Sequence, residues 1–180
     1  MPTDPLLPFV DRSSPPPLQV EAEVDRLGQF LQVTFHLAGD LSQILPQSWN
    51  LNPQAQRITG LWETTCFEFF FGVRGQANYW EVNLAATGDW NVFRLDRYRE
   101  NLQEELRLTE LPIELETQSD RLKLSTKLNL DKLGILQTQA IEVSATTVIQ
   151  AQSGDISYWA VKHAGSEADF HLRESFMIKL

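Results

Sequence analysis

At 180 residues the chain has the length of one domain and can bury a full core without disulfides or metals. A formal charge of −9, with no dense Lys/Arg cluster, argues against nucleic acid and anionic membranes as partners, and no apolar run is long enough to span a bilayer. The lone Cys66 excludes an intramolecular disulfide and any metal site built from several cysteines; with no basic-then-apolar leader in the first thirty residues, the expected location is the cytoplasm.

Residues 1–17 carry Pro2, Pro5, Pro8 and the run Pro15-Pro16-Pro17, so an extended N-terminal segment is expected ahead of a domain over 18–180. Leu18 to Val24 alternates as LQVEAEV, and Phe30 to Leu37 follows a turn at Leu27-Gly28, which predicts a hairpin. Ala38 to Gly60 is rich in Gly, Pro, Asp and Asn and reads as loops with one short turn or strand, Trp49 closing the core edge. Cys66–Phe71, Tyr79–Leu84 and Trp90–Leu95 read as three consecutive strands. Arg97 to Glu110 is charged and fits a short helix or a solvated loop equally. Ile113–Thr117 and Leu122–Leu128 alternate around Gln118-Ser119-Asp120, and Asn129 to Gly134 reads as an Asn-capped turn closed by glycine. Strands over Ala140–Ile149, Ile156–Val161 and Phe176–Leu180 complete the chain. Nine to eleven short strands with turn signals between them, and no long helical period, predict an all-β fold, an antiparallel β-sandwich of immunoglobulin-like or jelly-roll-like type.

The stretch Leu61 to Tyr98 concentrates the chemistry. With Gly72 facing Ala77, Phe67, Phe69 and Phe71 share a core face with Trp80, Val82 and Leu84. The opposite face carries Cys66, Glu68 and Phe70 beside Tyr79, Glu81 and Asn83, and this register sets Glu68 directly across from Glu81. Like charges in that position need compensation, from an arginine among Arg94, Arg97 and Arg99, a shared proton or a hydroxyl-rich ligand. Flat rings for C–H faces and planar groups for paired hydroxyls are what sugar recognition needs, and Trp62, Glu68, Tyr79, Glu81, Asn83 and Asn91 meet that description.

The blocks LWETTCFEFFFG, YWEVNLAATGDWNVFRLDRYR and SYWAVKHAGSEADFH resemble those of the DOMON-like superfamily, in its small bacterial branch. That branch includes domains similar to family 9 carbohydrate-binding modules, some fused to UDP-N-acetylenolpyruvoylglucosamine reductase. The resemblance implies an antiparallel sandwich whose concave sheet binds a ligand, a sugar in the carbohydrate-binding relatives. Trp62 matches the position of the first clamping ring. The later block lacks the second tryptophan expected of such relatives; Trp159 lies upstream of it and Phe170 inside it. The expected function is non-catalytic binding of a carbohydrate or sugar-derived metabolite, through Trp62, Glu68, Tyr79, Glu81, Asn83, Asn91, Arg94, Trp159 and His171, with no cofactor and no metal.

Other readings remain open at this stage. The aromatic face could dock a protein partner as a structural or interaction module. Glu68 and Glu81 could act as a glycoside hydrolase pair, although direct cross-strand neighbours stand close for an inverting mechanism. Haem would draw its ligands from His36, His163, His171 and Met177. Glu167, Asp169 and His171 alternate and could face a metal, or a His171–carboxylate bond could simply order that loop.

Overall fold

The computed structural model describes residues 3–10, 15–46 and 49–180. Its strands in chain order are β1 (Asp4–Pro8), β2 (Leu18–Leu27), β3 (Phe30–Gly39), β4 (Cys66–Val73), β5 (Tyr79–Leu84), β6 (Trp90–Leu95), β7 (Gln103–Glu104), β8 (Ile113–Thr117), β9 (Arg121–Asn129), β10 (Ile141–Gln150), β11 (Ile156–Ala160) and β12 (Ile178–Lys179). All named pairings are antiparallel, in the order β7-β6-β5-β4-β10-β11-β1-β2-β3-β9-β8, with β12 added beside β10. The sheet curls on itself and the two halves pack face to face, joined through β1. That strand pairs with β2 along Asp4–Leu6 and with β11 at Leu7 and Pro8, so the proline-rich start of the chain is woven into the sheet.

Alternation explains the core. Val20, Ala22 and Val24 of β2, Leu31, Val33, Phe35 and Leu37 of β3, and Leu122, Leu124 and Leu128 of β9 line one inner face. Phe67, Phe69 and Phe71 of β4, Trp80 and Val82 of β5, Val92 of β6, and Ile141, Val143 and Ala145 of β10 line the other. Phe35 meets Phe67 across the gap with ring centroids 5.5 Å apart, and Phe71 stacks on Trp80 at 5.4 Å. Gly28, at φ +61, makes the two-residue turn between Leu27 and Phe30, where a side chain would be strained. Trp49 is buried against the core, as its position in the sequence predicts.

Three expectations are corrected. The β4–β5 register is two residues away from the one predicted: Glu68 faces Asn83, and Phe70 faces Glu81. The connection between the strands takes in Asn78, with Gly75 at φ +81, and the slip removes the facing carboxylate pair. Because the slip is even, both faces keep their predicted membership. Within Arg97–Glu110 there is neither a helix nor only loop, since Gln103–Glu104 adds an edge strand beside β6. The final strand is confined to Ile178–Lys179, because Arg173–Ser175 forms a 3-10 turn just before it.

Candidate functional site

The outward face of the β6-β5-β4-β10-β11 half is the floor of a cavity of about 470 Å³. Alternation again decides what points there. Odd-numbered residues of β10 enter the core, so Thr146 and Val148 face out; Thr146 lies opposite Glu68, and Val148 opposite Tyr158. Phe70 forms the apolar floor, with Val148 and Leu95 beside it, and Trp62, Tyr158, Phe170 and Leu102 stand around it as walls. Trp62 is carried on the 3-10 turn Leu61–Glu63, which Gly60 starts in the left-handed conformation, and its ring meets Phe93 edge-on at 5.7 Å. Tyr158 meets Phe170 edge-on at 6.0 Å.

The polar groups of the cavity are Glu68, Glu81, Arg99 and His171. Glu68 is 2% exposed, and its buried Oε1 has no hydrogen-bond partner among the described residues. Burial first, and the charge of Glu81 second, push its carboxyl well above the ordinary range. Glu81 is also raised, chiefly by burial, while the hydrogen bond from Asn83 and the nearby charge of Arg99 pull the other way. Asn83 Nδ2 donates to Glu81 Oε1 at 2.9 Å, and Cys66 Sγ lies 3.9 Å from Asn83 Oδ1. Burial, then the Glu68 charge, drive the Cys66 thiol well up, which leaves it a small buried apolar group.

A relay of hydrogen bonds orients the histidine. Tyr79 is fully buried, and its hydroxyl accepts from the Arg99 backbone N–H at 3.2 Å. Its own proton is then free for His171 Nδ1, 2.9 Å away, an arrangement that matches the tautomer with the ring proton on Nε2. Burial, with a further contribution from Arg99, lowers the His171 pKa to about 4, so the ring is neutral at pH 7. Its Nε2–H then faces Glu81 Oε2 across 3.9 Å. This is too long for a direct hydrogen bond and leaves space for a bridging oxygen.

The wall that bears Phe170 and His171 is latched from the other side. Asp169 accepts from Tyr98 Oη at 2.5 Å, from Arg99 Nη2 at 3.0 Å and from the His171 backbone N–H at 3.0 Å. Burial alone would raise the Asp169 carboxyl, but these bonds hold it below its ordinary value. Arg99 sits at φ +53, an uncommon conformation for a side-chain-bearing residue, at the end of the Asp96–Glu100 turn.

The sequence candidates divide. Trp62, Glu68, Glu81 and His171 line the cavity, and Tyr79 and Asn83 support them from beneath. Asn91 shares this face, opposite Asn83, but is occupied: it accepts from Arg57 Nη1 at 2.5 Å and donates to Glu104 Oε1 at 2.9 Å. Arg94 is corrected. It faces Trp80 across β5–β6, on the other side of the sheet, and pairs with Asp96 at 3.0 Å. Trp159 is corrected as well: it faces the core, 4% exposed, with Nε1 donating to Ser157 Oγ, and its neighbour Tyr158 takes the wall position. Phe70 and Arg99 were legible as a face residue and as one of three arginines. Leu95, Leu102, Val148, Tyr158 and Ala168 carried no separate signal, although the β10–β11 alternation selects Val148 and Tyr158 once the register is known.

The histidines are dispersed. His36 pairs with Glu23 on the opposite half of the sheet, and His163 contacts the Leu7 carbonyl at 2.8 Å. Met177 is 48% exposed. Among the described residues no three His, Cys, Asp or Glu side chains gather into a metal-binding group.

No family model matches the chain, and no curated protein matches it. Solved structures do. A candidate carbohydrate-binding protein from Bacteroides uniformis superposes with a TM-score of 0.68 at 12% identity, over 98% of this chain and 84% of that one. A family 9 carbohydrate-binding module from Caldicellulosiruptor kristjanssonii, in complex with glucose, superposes with a TM-score of 0.52 at 10% identity, over 93% and 78%. The module from the same organism in complex with cellotriose gives 0.53 at 9% identity, over 96% and 80%. At these identities the likeness is one of fold, that of a carbohydrate-binding-module-like antiparallel β-sandwich.

Proposed function

We propose that the protein is a non-catalytic carbohydrate-binding domain that seats a sugar in the cavity above Glu68 and Glu81. The observation that carries this reading is the pairing of those two buried carboxyls with a wall of aromatic rings on one sheet face. Rings at Trp62, Tyr158 and Phe170 supply flat apolar surface for C–H groups, and the carboxyls and His171 Nε2–H supply directional partners for hydroxyls. The 3.9 Å gap between His171 and Glu81 has the length that a hydroxyl oxygen can bridge. The cavity volume suits one or two sugar rings better than a long chain lying flat. The fold likeness to modules holding glucose and cellotriose supports the same reading.

A hydrolytic role fits the site less well. Glycoside cleavage needs one carboxyl protonated and its partner kept ionised. Here burial raises both Glu68 and Glu81. Arg99, the cation at the cavity, is engaged by Asp169.

Intrinsic tryptophan fluorescence, titrated with mono- and oligosaccharides, tests the proposal on the wild type beside Trp62→Ala and Glu68→Gln. Saturable quenching is expected, with binding weakened at least tenfold in each variant, equivalent to about 1.4 kcal/mol. A flat response across the panel, with all three proteins folded, would sink the carbohydrate reading.

A further inference from the structure

We propose that the preferred occupant of this cavity carries a protonated amine, so that the sugar class it selects is an amino sugar with its ammonium group free. The inference rests on the carbohydrate reading above and names the ligand class more narrowly.

The floor has two carboxyl groups that the protein answers only with the weak thiol donor of Cys66 at Glu68 and the amide of Asn83 at Glu81. Glu68 is 2% exposed and lines the cavity, yet its Oε1 meets no donor among the described residues. Glu81 spends Oε1 on Asn83, and its Oε2 faces His171 only at 3.9 Å. The charges around them do not balance the pair. Arg99 Nη2 binds Asp169 Oδ1 at 3.0 Å, so that cation is already matched by a carboxylate of its own. Burial and the neighbouring Arg99 keep His171 neutral, and no lysine lines the cavity among the described residues. A site left in this state either keeps a proton on the pair or waits for a cation.

The register corrected above gives the cation a place. Glu68 faces Asn83 and Glu81 faces Phe70, so the two carboxyls are diagonal neighbours on one sheet face. Diagonal positions are rooted about 7 Å apart, where directly facing ones would crowd together. An ammonium nitrogen bonds a carboxylate oxygen at about 2.8 Å, so one such group bridges two oxygens up to about 5.6 Å apart, a span that two glutamate side chains rooted at the diagonal on one face reach by leaning towards each other. It brings three donors and a full charge, where a hydroxyl brings one donor and none. The rings of Phe70, Trp62 and Tyr158 border the same space, and their faces attract cations. A neutral sugar offers the pair hydroxyl donors but no charge; an amino sugar offers donors and the balancing charge together.

Isothermal calorimetry at pH 7 tests this with matched ligands on the full chain: glucosamine, galactosamine and mannosamine, each beside its N-acetyl form and its parent hexose, with ethylammonium as an amine lacking a ring. For at least one stereochemistry the free amine is expected to bind at least tenfold more tightly than both partners. Repeating the titration in buffers of different ionisation enthalpy is expected to show proton release for the amine and none for the parent hexose. Equal or tighter binding of the hexose or the N-acetyl sugar would overturn the ammonium inference and leave the carbohydrate reading standing. Ethylammonium binding as tightly as any hexosamine would support the ammonium site and overturn the carbohydrate reading. Silence from every ligand would overturn both.

Discussion

Glu68 sits where it costs the folded protein stability. Its carboxyl is buried without a partner for Oε1, and burial raises its pKa above the value it has in the unfolded chain. The folded state therefore holds the proton more tightly. The stabilising effect of that proton is complete below the unfolded pKa, near 4.5, and is lost as pH rises through the folded one. Glu68→Gln removes the ionisation while keeping the shape. The variant is expected to be more stable than the wild type at pH 8 by on the order of 1 kcal/mol, with the difference vanishing near pH 4; denaturant melts at the two pH values measure it. A difference independent of pH would mean that Glu68 is not the group being relieved. The same variant should bind sugar poorly if the proposed site is correct, a pairing of effects expected when function is kept against stability. At this scale the sequence was informative where alternation is unbroken and silent where it is not. Glu68, Glu81 and Trp62 could be read off strand faces and a motif. The choice of Arg99 over Arg94 depended on the Asp96–Glu100 turn, where Asp96 N–H donates to the Glu100 carbonyl and period-two reasoning stops.

Strand β4 shows how one element can hold the site's wall through its backbone. Gly72 leaves open the surface on which the Arg173 guanidinium lies; a Cβ there would collide with Arg173 Nη1 and approach the Asn78 carbonyl to 3.1 Å. Arg173 uses that position to donate to the Val73 carbonyl at 3.3 Å and to Glu142 at 3.2 Å, and it packs 4.7 Å over the Phe176 ring. The residue two before it is His171. Gly72→Ala is expected to displace Arg173, to destabilise the fold by about 1–3 kcal/mol and to weaken ligand binding without altering any residue of the cavity. Thermal melts and the fluorescence titration together check this; unchanged affinity would uncouple the Arg173 segment from the site. From the sequence, Gly72 marked a turn and a register, not a contact with Arg173. The predicted β4–β5 register, with Gly72 facing Ala77, rested on turn-like residues alone, whereas the observed one sets Phe71 opposite Trp80 while both strands also pair with β10 and β6.

At the level of the whole molecule, β1 joins the two halves of the curled sheet. It pairs with β2 on one side and β11 on the other, and Leu6 is buried between them at 3% exposure. Removing residues 1–8 uncovers two strand edges at once and deletes that anchor. The shortened chain is expected to lose at least about 2 kcal/mol, from Leu6 burial alone, and to aggregate more readily through its bared edges. Equilibrium unfolding with light scattering measures both effects; unchanged stability would assign the seam to other contacts. The all-β class and nearly every strand were legible because each strand alternates. The closure through β1 was not, since Pro5 and Pro8 argue against a strand unless their missing N–H groups fall where no bond is needed. That alternation also has a consequence for descent. Along β4, β5 and β10 the residues that fill the core and those that line the cavity occupy separate positions of the same strands. Drift at Trp62, Glu81 or Tyr158 can therefore change what is recognised while Phe67, Phe69, Trp80 and Val143 stay fixed. A chain built this way can exchange the lining of its cavity and keep one architecture.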